Sequence, residues 1–178
     1  MHSRRARMTI RPETPGDAAG VRRVLEAAFG QPDEADLVDA LRERGVPLIS
    51  LVALVEEVVV GHILFSPARI DSPDASTSTA VAALGPLAVL PAHQRRGIGS
   101  RLVRAGLDAC RQARHSVVVV LGHPGFYPRF GFAPSRPYGI VPEFNVPDEV
   151  FMVAELCAGA LAGCQGVVHY QPEFATVS

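Results

Sequence analysis

The sequence predicts a mixed α/β domain, with a mostly antiparallel central sheet flanked by helices. Three observations carry this expectation. Apolar segments follow the order strand, two helices, three strands, helix, strand, short helix and final strands, which is not a repeated β-α-β wheel. Two runs rich in Val, Leu and Ile, residues 47–55 and 58–66, are separated only by Glu56-Glu57, the pattern of a hairpin of well-buried strands. A third run, residues 80–90, ends at Pro91 and passes through a basic turn with two glycines into an amphipathic helix.

The elements can be justified in chain order. Met8 and Ile10 alternate with Thr9 and Arg11, a short strand. Thr14-Pro15-Gly16-Asp17 makes a turn and a helix entry, with proline near the helix start. Ala18, Val21, Val24, Leu25, Ala28 and Phe29 then recur at three- and four-residue spacing, so this stretch is a helix. A second helix over residues 34–44 follows, with Asp33 as its cap, Leu37, Val38 and Leu41 as its stripe and Gly45 as its close.

After the hairpin, the Ser, Thr, Asp and Pro of residues 67–79 read as a polar loop. Gly85-Pro86 interrupts the strand at 80–90. Proline cannot donate to a ladder, so a bulge or a splayed pairing is expected there. Residues 97–114 form a helix with Ile98, Leu102, Ala105 and Ala109 on its apolar side and Arg101, Arg104, Asp108 and Arg111 opposite. Residues 116–121 are a buried strand. A Gly/Pro-rich turn with Phe126, Tyr127 and Phe130 follows, then a proline-rich segment and two last strands, 151–156 and 167–170.

The chain has 178 residues, enough for one domain with a sizeable core. Its 48% hydrophobic and 20% charged content excludes disorder as its general state. A net charge of −1 gives no global attraction to nucleic acid or to an anionic membrane. All 17 basic residues are arginine, the imprint expected of a GC-rich genome. Cys110, Cys157 and Cys164 are odd in number and lack metal-ligand spacing, so neither a disulfide framework nor a metal is expected, and a cytoplasmic location is. The expected division is a basic tail over residues 1–7, one domain over 8–172 and a C-terminal tail over 173–178. The apolar final strands are compatible with a homodimer.

The chemistry concentrates around Leu90-Pro91-Ala92-His93-Gln94-Arg95-Arg96-Gly97-Ile98-Gly99-Ser100. Glycines let a backbone approach phosphate oxygens closely. The first N–H groups of a helix lack internal partners and point at an anion. Arg95 and Arg96 add charge beside that helix start. This order of residues is suited to a pyrophosphate.

Leu84-Gly85-Pro86-Leu87-Ala88-Val89-Leu90-Pro91 followed by Gln94-Arg95-Arg96-Gly97-Ile98-Gly99 resembles the acetyl-CoA-binding motif of the GNAT superfamily of N-acetyltransferases. Leu121-Gly122-His123-Pro124 and Phe126-Tyr127-Pro128-Arg129-Phe130-Gly131-Phe132 are similar to its bacterial YhbS-like branch. The resemblance spans residues 8–172. It implies the GNAT fold, with strands splayed at the cofactor site, and acetyl-CoA as acyl donor. Backbone N–H groups of Gln94, Arg95, Arg96, Gly97, Ile98, Gly99 and Ser100 would hold the pyrophosphate. The strand Leu87, Ala88, Val89 would run along the pantetheine arm, with Val89 supplying main-chain bonds. The Leu87 N–H would stabilise the oxyanion, a donor of a kind worth roughly 2.7–4 kcal/mol.

The resemblance further implies that an amine attacks the thioester directly in a ternary complex, with Tyr127 as general acid toward the leaving thiolate. Its core-packing alternative is an aromatic beside Phe126, Phe130 and Phe132. For proton removal the candidates are Glu34, which equally suits a helix N-terminus electrostatically, and His123, which stands where relatives often carry an acid. His62 reads as structural, His93 as an exposed residue of the phosphate turn and Cys110 as core. No Ser-His-Asp arrangement is evident. The first two helices, residues 67–79 and residues 133–148 would select the acceptor, whether a small amine, an amino-acid derivative or a protein amino group. Two rival readings are a non-catalytic acyl-CoA sensor or interaction module on the same fold, and a nucleotide-dependent transferase. The absence of a Gly-x-x-x-x-Gly-Lys-Ser/Thr loop weighs against the second.

Overall fold

The computed structural model describes residues 6–177. Residues 1–5 of the expected basic tail lie outside the described residues, as does Ser178. The elements in order are β1 (Met8–Pro12), α1 (Ala18–Phe29), α2 (Asp33–Glu43), β2 (Ile49–Val55), β3 (Val58–Asp71), β4 (Ser78–Val89), α3 (Ile98–Gln112), β5 (Val117–Leu121), β6 (Ala133–Pro134), β7 (Ile140–Pro142), β8 (Phe151–Glu155) and β9 (Gly166–His169). They form a nine-stranded sheet whose main path is β1-β2-β3-β4-β5-β8-β6, with β9 pairing β3 and β7. Among the described residues, only β4 with β5 and β7 with β9 run parallel.

Strand alternation assigns the two faces. Ile63, Phe65, Ala82, Leu84, Val118 and Val120 share a core with Ile98, Leu102, Val103, Leu107 and Cys110 of α3. On the other face, Val52, Leu54, Leu64 and Ala88 pack against Val21, Val24 and Leu25 of α1 and Val38 and Leu41 of α2. Further along that same face, Ala68, Ile70, Val81, Ala83, Val117 and Val119 are covered by Ile140, Leu161, Cys164 and Val168. Two separate clusters therefore cap one face. The boundary between them crosses β3 between Leu64 and Ala68 and β4 between Ala83 and Ala88.

Glu56 and Glu57 both take positive φ (49° and 65°), closing the expected hairpin with a two-residue turn whose twist suits its strands. The interruption at Gly85-Pro86 is a bulge. Ile63 pairs Leu87 and Phe65 pairs Leu84, so Gly85 and Pro86 together face Leu64.

Three expectations are corrected. The expected loop over residues 67–79 shrinks to residues 72–77: β3 runs on to Asp71 and β4 begins at Ser78, because Ala68, Ile70 and Val81 turn inward while Arg69 stays exposed. Asp33 is the first residue of α2 and the cap position falls to Pro32. In the segment read as a C-terminal tail, Phe174 and Val177 pack on the core beneath α2, and Glu173 pairs with Arg44. Of the final strands, β8 is paired by β5 and, at Met152 and Val153, by β6, and β9 is paired by β3 and β7.

Candidate active site

The parallel strands β4 and β5 pair only through Ala82, Ala83 and Leu84 against Val118, Val119 and Val120. Beyond that point β4 keeps its bonds to β3 alone. The Leu90 N–H donates to the Val60 carbonyl at 2.8 Å. Antiparallel pairs alternate between bonded and non-bonded positions, so Ala88 also points its polar groups at β3, and Leu87 and Val89 point theirs away. The N–H and C=O of Leu87 and Val89 thus face the gap that β5 has left. Their side chains pack on the α3 core and Ala88 packs on the opposite face.

At the top of this gap the turn Gln94 to Gly97 enters α3. Arg95 (φ 60°) and Gly97 (φ 81°) are both left-handed, a conformation costly for arginine that re-aims successive N–H groups. The first backbone donor bonded within α3 is Arg101, to the Gly97 carbonyl at 3.1 Å, so the N–H groups of Ile98, Gly99 and Ser100 have no helical acceptor. A groove of about 840 Å³ opens onto these donors. Val89, Gln94, Arg95, Gly97, Ile98, Gly99 and Ser100 form one wall with His93, and His123, Gly125, Phe126 and Arg129 form the other. A second hollow, about 660 Å³, lies at the far end of β3 by Arg69, Glu143 and His169, away from the glycine turn.

The two arginines of the turn diverge. Arg95 lines the groove, whereas Arg96 lines a neighbouring hollow with Met8, Val55 and Arg101. His93 is half-buried between the two, not exposed as expected. Charge pairing sharpens the contrast. Arg11, Arg22, Arg42, Arg44, Arg69, Arg111 and Arg136 each have a carboxylate partner. Among the described residues eight arginines have none, and five of these, Arg95, Arg96, Arg101, Arg104 and Arg129, lie on α3 or around the groove, the others being Arg7, Arg23 and Arg114. The protein is nearly neutral overall yet locally cationic here.

Tyr127 is 7% exposed and lies behind Phe126, edge-on to Phe126 (5.0 Å) and Phe132 (5.6 Å). Its ring rests on Gly122, just past the end of β5: a Cβ there would lie 2.2 Å from Tyr127 Cε2. Burial pushes its phenol up to about 12, further above neutral pH than the ordinary value near 10, at which it would already be protonated. Glu34 is 7% exposed and accepts from Gln31 Nε2 at 3.1 and 3.3 Å. It sits on the inward stripe of α2 with Val38 and Leu41 and does not line the groove. His123 does line it, and its carbonyl accepts from the Phe126 and Tyr127 N–H groups. Cys110 is fully buried, where burial raises its thiol to about 12.

One constellation escaped the sequence. Ser50, His62 and Glu13 meet beneath α2, with Ser50 Oγ 2.8 Å from His62 Nε2 and its hydroxyl donating to Glu13. The nearest Glu13 oxygen is 3.6 Å from the same nitrogen. Hydroxyl and carboxylate sharing one ring nitrogen do not form a relay, which requires them on opposite nitrogens. No spacing signal in the sequence links Glu13 just past β1, Ser50 at the start of β2 and His62 within β3.

A bulged strand splayed from its parallel neighbour, a glycine turn and a cationic groove define the class of acetyltransferases. Residues 9–135 match the family described as acetyltransferase (GNAT) domain, and the chain belongs to that family. It is 34% identical to the uncharacterized N-acetyltransferase YhbS of Escherichia coli K12 over 168 residues, covering 94% of this chain and 98% of that protein. It is 41% identical to YjhQ of the same organism over 140 residues, covering 75% and 74%. The crystal structure of E. coli YhbS in complex with CoA matches with a TM-score of 0.91 at 32% identity, covering 100% of this chain and 97% of that one. A GNAT family acetyltransferase from Brucella melitensis in complex with acetyl-CoA matches at 0.78 and 37% identity, covering 95% and 99%. Among the described residues no helix is long and apolar enough to cross a membrane, and no cluster of His, Cys, Asp and Glu could hold a metal.

Proposed function

We propose that this acetyltransferase moves the acetyl group of acetyl-CoA to an amine by direct attack in a ternary complex. The observation that carries the reading is the row of main-chain groups on Leu87 and Val89 that no strand satisfies, continuous with the unpaired N–H groups of the glycine turn. A pantetheine arm is an extended amide chain, so it can take the place of the missing strand, while the turn and Arg95 receive the pyrophosphate. The relatives bound to CoA and acetyl-CoA support this fit. The thioester supplies the activated acyl group.

The chain's own residues then divide the work. The Leu87 N–H is a preorganised donor for the developing oxyanion. Tyr127 is the proton donor to the departing sulfur, a phenol protonated at neutral pH and fixed by its aromatic neighbours. The acceptor reaches the slot from the face opposite α3, through the boundary between the two apolar clusters. Ser66 lies on that boundary opposite Ala83, is 2% exposed, and its Oγ has no partner among the described residues. This gives an incoming amine a hydroxyl to bond. Glu34, on the inward side of α2 over the same face, is the base that takes the amine proton directly or through water.

The test is acetyl-CoA consumption with a panel of small amines, amino acids and peptides, beside calorimetry with CoA and ATP. Turnover with at least one amine supports the reading. Tight CoA binding without turnover, insensitive to Tyr127→Phe, favours a sensor. Binding of ATP but not CoA overturns both.

A further inference from the structure

We propose that Arg129 recognises the 3′-phosphate of the cofactor, so that this chain binds CoA in preference to dephospho-CoA. The inference rests on the acetyl-CoA reading of the groove and assigns its second wall. That wall is organised by Phe126. A Cβ on Gly99 would lie 3.9 Å from Phe126 Cζ, so the two walls meet at this ring. Phe126 is in turn braced edge-on by Tyr127 and by Phe130 at 5.1 Å.

The Arg129 guanidinium stands 5.1 Å from the Phe126 ring centroid and lines the groove. A cation–π contact of this kind holds the guanidinium at the groove wall, and its planar fork of donors suits bidentate bonding to a phosphate. Its hydrogen bond to the Gly125 carbonyl is long, 3.5 Å, and among the described residues no carboxylate neutralises it. A permanent cation on the groove wall, with only this one long hydrogen bond and no carboxylate partner among the described residues, is suited to an anion.

The choice of anion follows from position. The pyrophosphate is served by the backbone donors of Ile98, Gly99 and Ser100 and by Arg95 on the opposite wall. Arg96 points into another hollow and is not available to the groove. The one remaining anionic group on the cofactor is the ribose 3′-phosphate, close to doubly charged at neutral pH like other phosphate monoesters. The competing use for Arg129 is stacking on the adenine, which would not distinguish the two ligands.

Calorimetry of the full chain with CoA and with dephospho-CoA decides this, using wild type, Arg129→Gln and Arg129→Lys. Wild type should prefer CoA by about tenfold, equivalent to ~1.4 kcal/mol. In Arg129→Gln that preference should fall to about one, with dephospho-CoA affinity unchanged. Arg129→Lys, charged but without the planar fork, should keep an intermediate preference. Equal wild-type affinities, an undiminished preference in Arg129→Gln, or equal loss for both ligands overturns the role of Arg129 while leaving the acetyl-CoA reading standing. Failure of the wild type to bind either ligand overturns that reading, and this inference with it.

Discussion

The Gln94 side chain donates through Nε2 to the Val89 carbonyl at 2.9 Å. That carbonyl is one of the groups left without a ladder partner where β4 parts from β5, and Gln94 is the first residue of the turn expected to hold phosphate. One bond therefore ties the anion-binding turn to the strand of the slot. It fixes the distance between the two before any ligand arrives, a small instance of preorganisation. Loss of a single hydrogen bond costs about 1 kcal/mol, or roughly fivefold in affinity. Gln94→Ala should weaken acetyl-CoA binding by about that factor in calorimetry, with a smaller effect on kcat. Wild-type affinity in Gln94→Ala would show that the turn is held by its own backbone alone.

Tyr127 offers a way to separate the hydroxyl from the ring. Tyr127→Phe keeps the contacts with Phe126, Phe132 and Gly122 and deletes only the proton donor. It should lower kcat about 100-fold, the lower end for acid–base catalysis, and leave acetyl-CoA affinity intact. Gly122→Ala does the reverse: the hydroxyl remains, but the new methyl at 2.2 Å from Cε2 displaces the ring. Gly122 is not among the residues with positive φ, so backbone strain does not confuse the result. Its kcat should fall at least tenfold with the melting transition still cooperative. Unchanged turnover in Tyr127→Phe would return this residue to core packing.

The strand–turn–helix unit was legible in the sequence because its signals are local: an apolar run, a proline, two glycines and an amphipathic repeat. The bulge was legible for the same reason, from Gly85-Pro86. What the chain did not disclose depends on distant pairing. Residues 67–71 look like loop because Pro67 opens them and the polar run of residues 71–79 follows, yet β9, almost a hundred residues later, pairs with Arg69, Ile70 and Asp71. Arg95 and Arg96 are adjacent letters, and only the left-handed backbone at Arg95 sends them into different hollows. The Glu13–Ser50–His62 contact is a product of sheet register and has no one-dimensional trace.

Gly106 shows the same limit from within a helix. In mid-helix it weakens the propensity of α3 by about 1 kcal/mol against alanine. The reason is across the interface: a Cβ there would lie 2.4 Å from Phe65 Cε2 and 2.7 Å from Cζ. Phe65 is 2% exposed and has little room to yield. Overpacking of ~1–3 kcal/mol should outweigh the propensity gain. Gly106→Ala should therefore unfold at lower denaturant concentration than wild type, with an unchanged slope. A stabilised variant would mean that α3 can slide outward freely. That would also loosen the turn at its N-terminus.

The buried cluster under α2 makes stability depend on pH. Burial lowers the His62 pKa below its ordinary 6.5, and the hydrogen bond to Glu13 only partly opposes this. Burial pushes the Glu13 carboxyl up, but bonds from His62 and Ser50 and the Arg42 charge outweigh it, so its pKa falls below 4.5. The Ser50 proton goes to Glu13, so Ser50 accepts from His62 Nε2–H and the buried Nδ1 is left bare without a partner. Below pH ~6.5 the unfolded chain takes up a proton at His62 that the folded chain refuses, so stability falls as pH drops. Glu13 adds a second loss in the same direction, starting near its ordinary value and continuing as pH falls through its folded one. Wild type should lose denaturation midpoint between about pH 7 and 5.5, the interval set by the depressed His62. His62→Gln cannot titrate and should hold a flat midpoint over that interval, then decline below it with Glu13. The same slope in both proteins between about pH 7 and 5.5 would place the acid sensitivity outside this cluster.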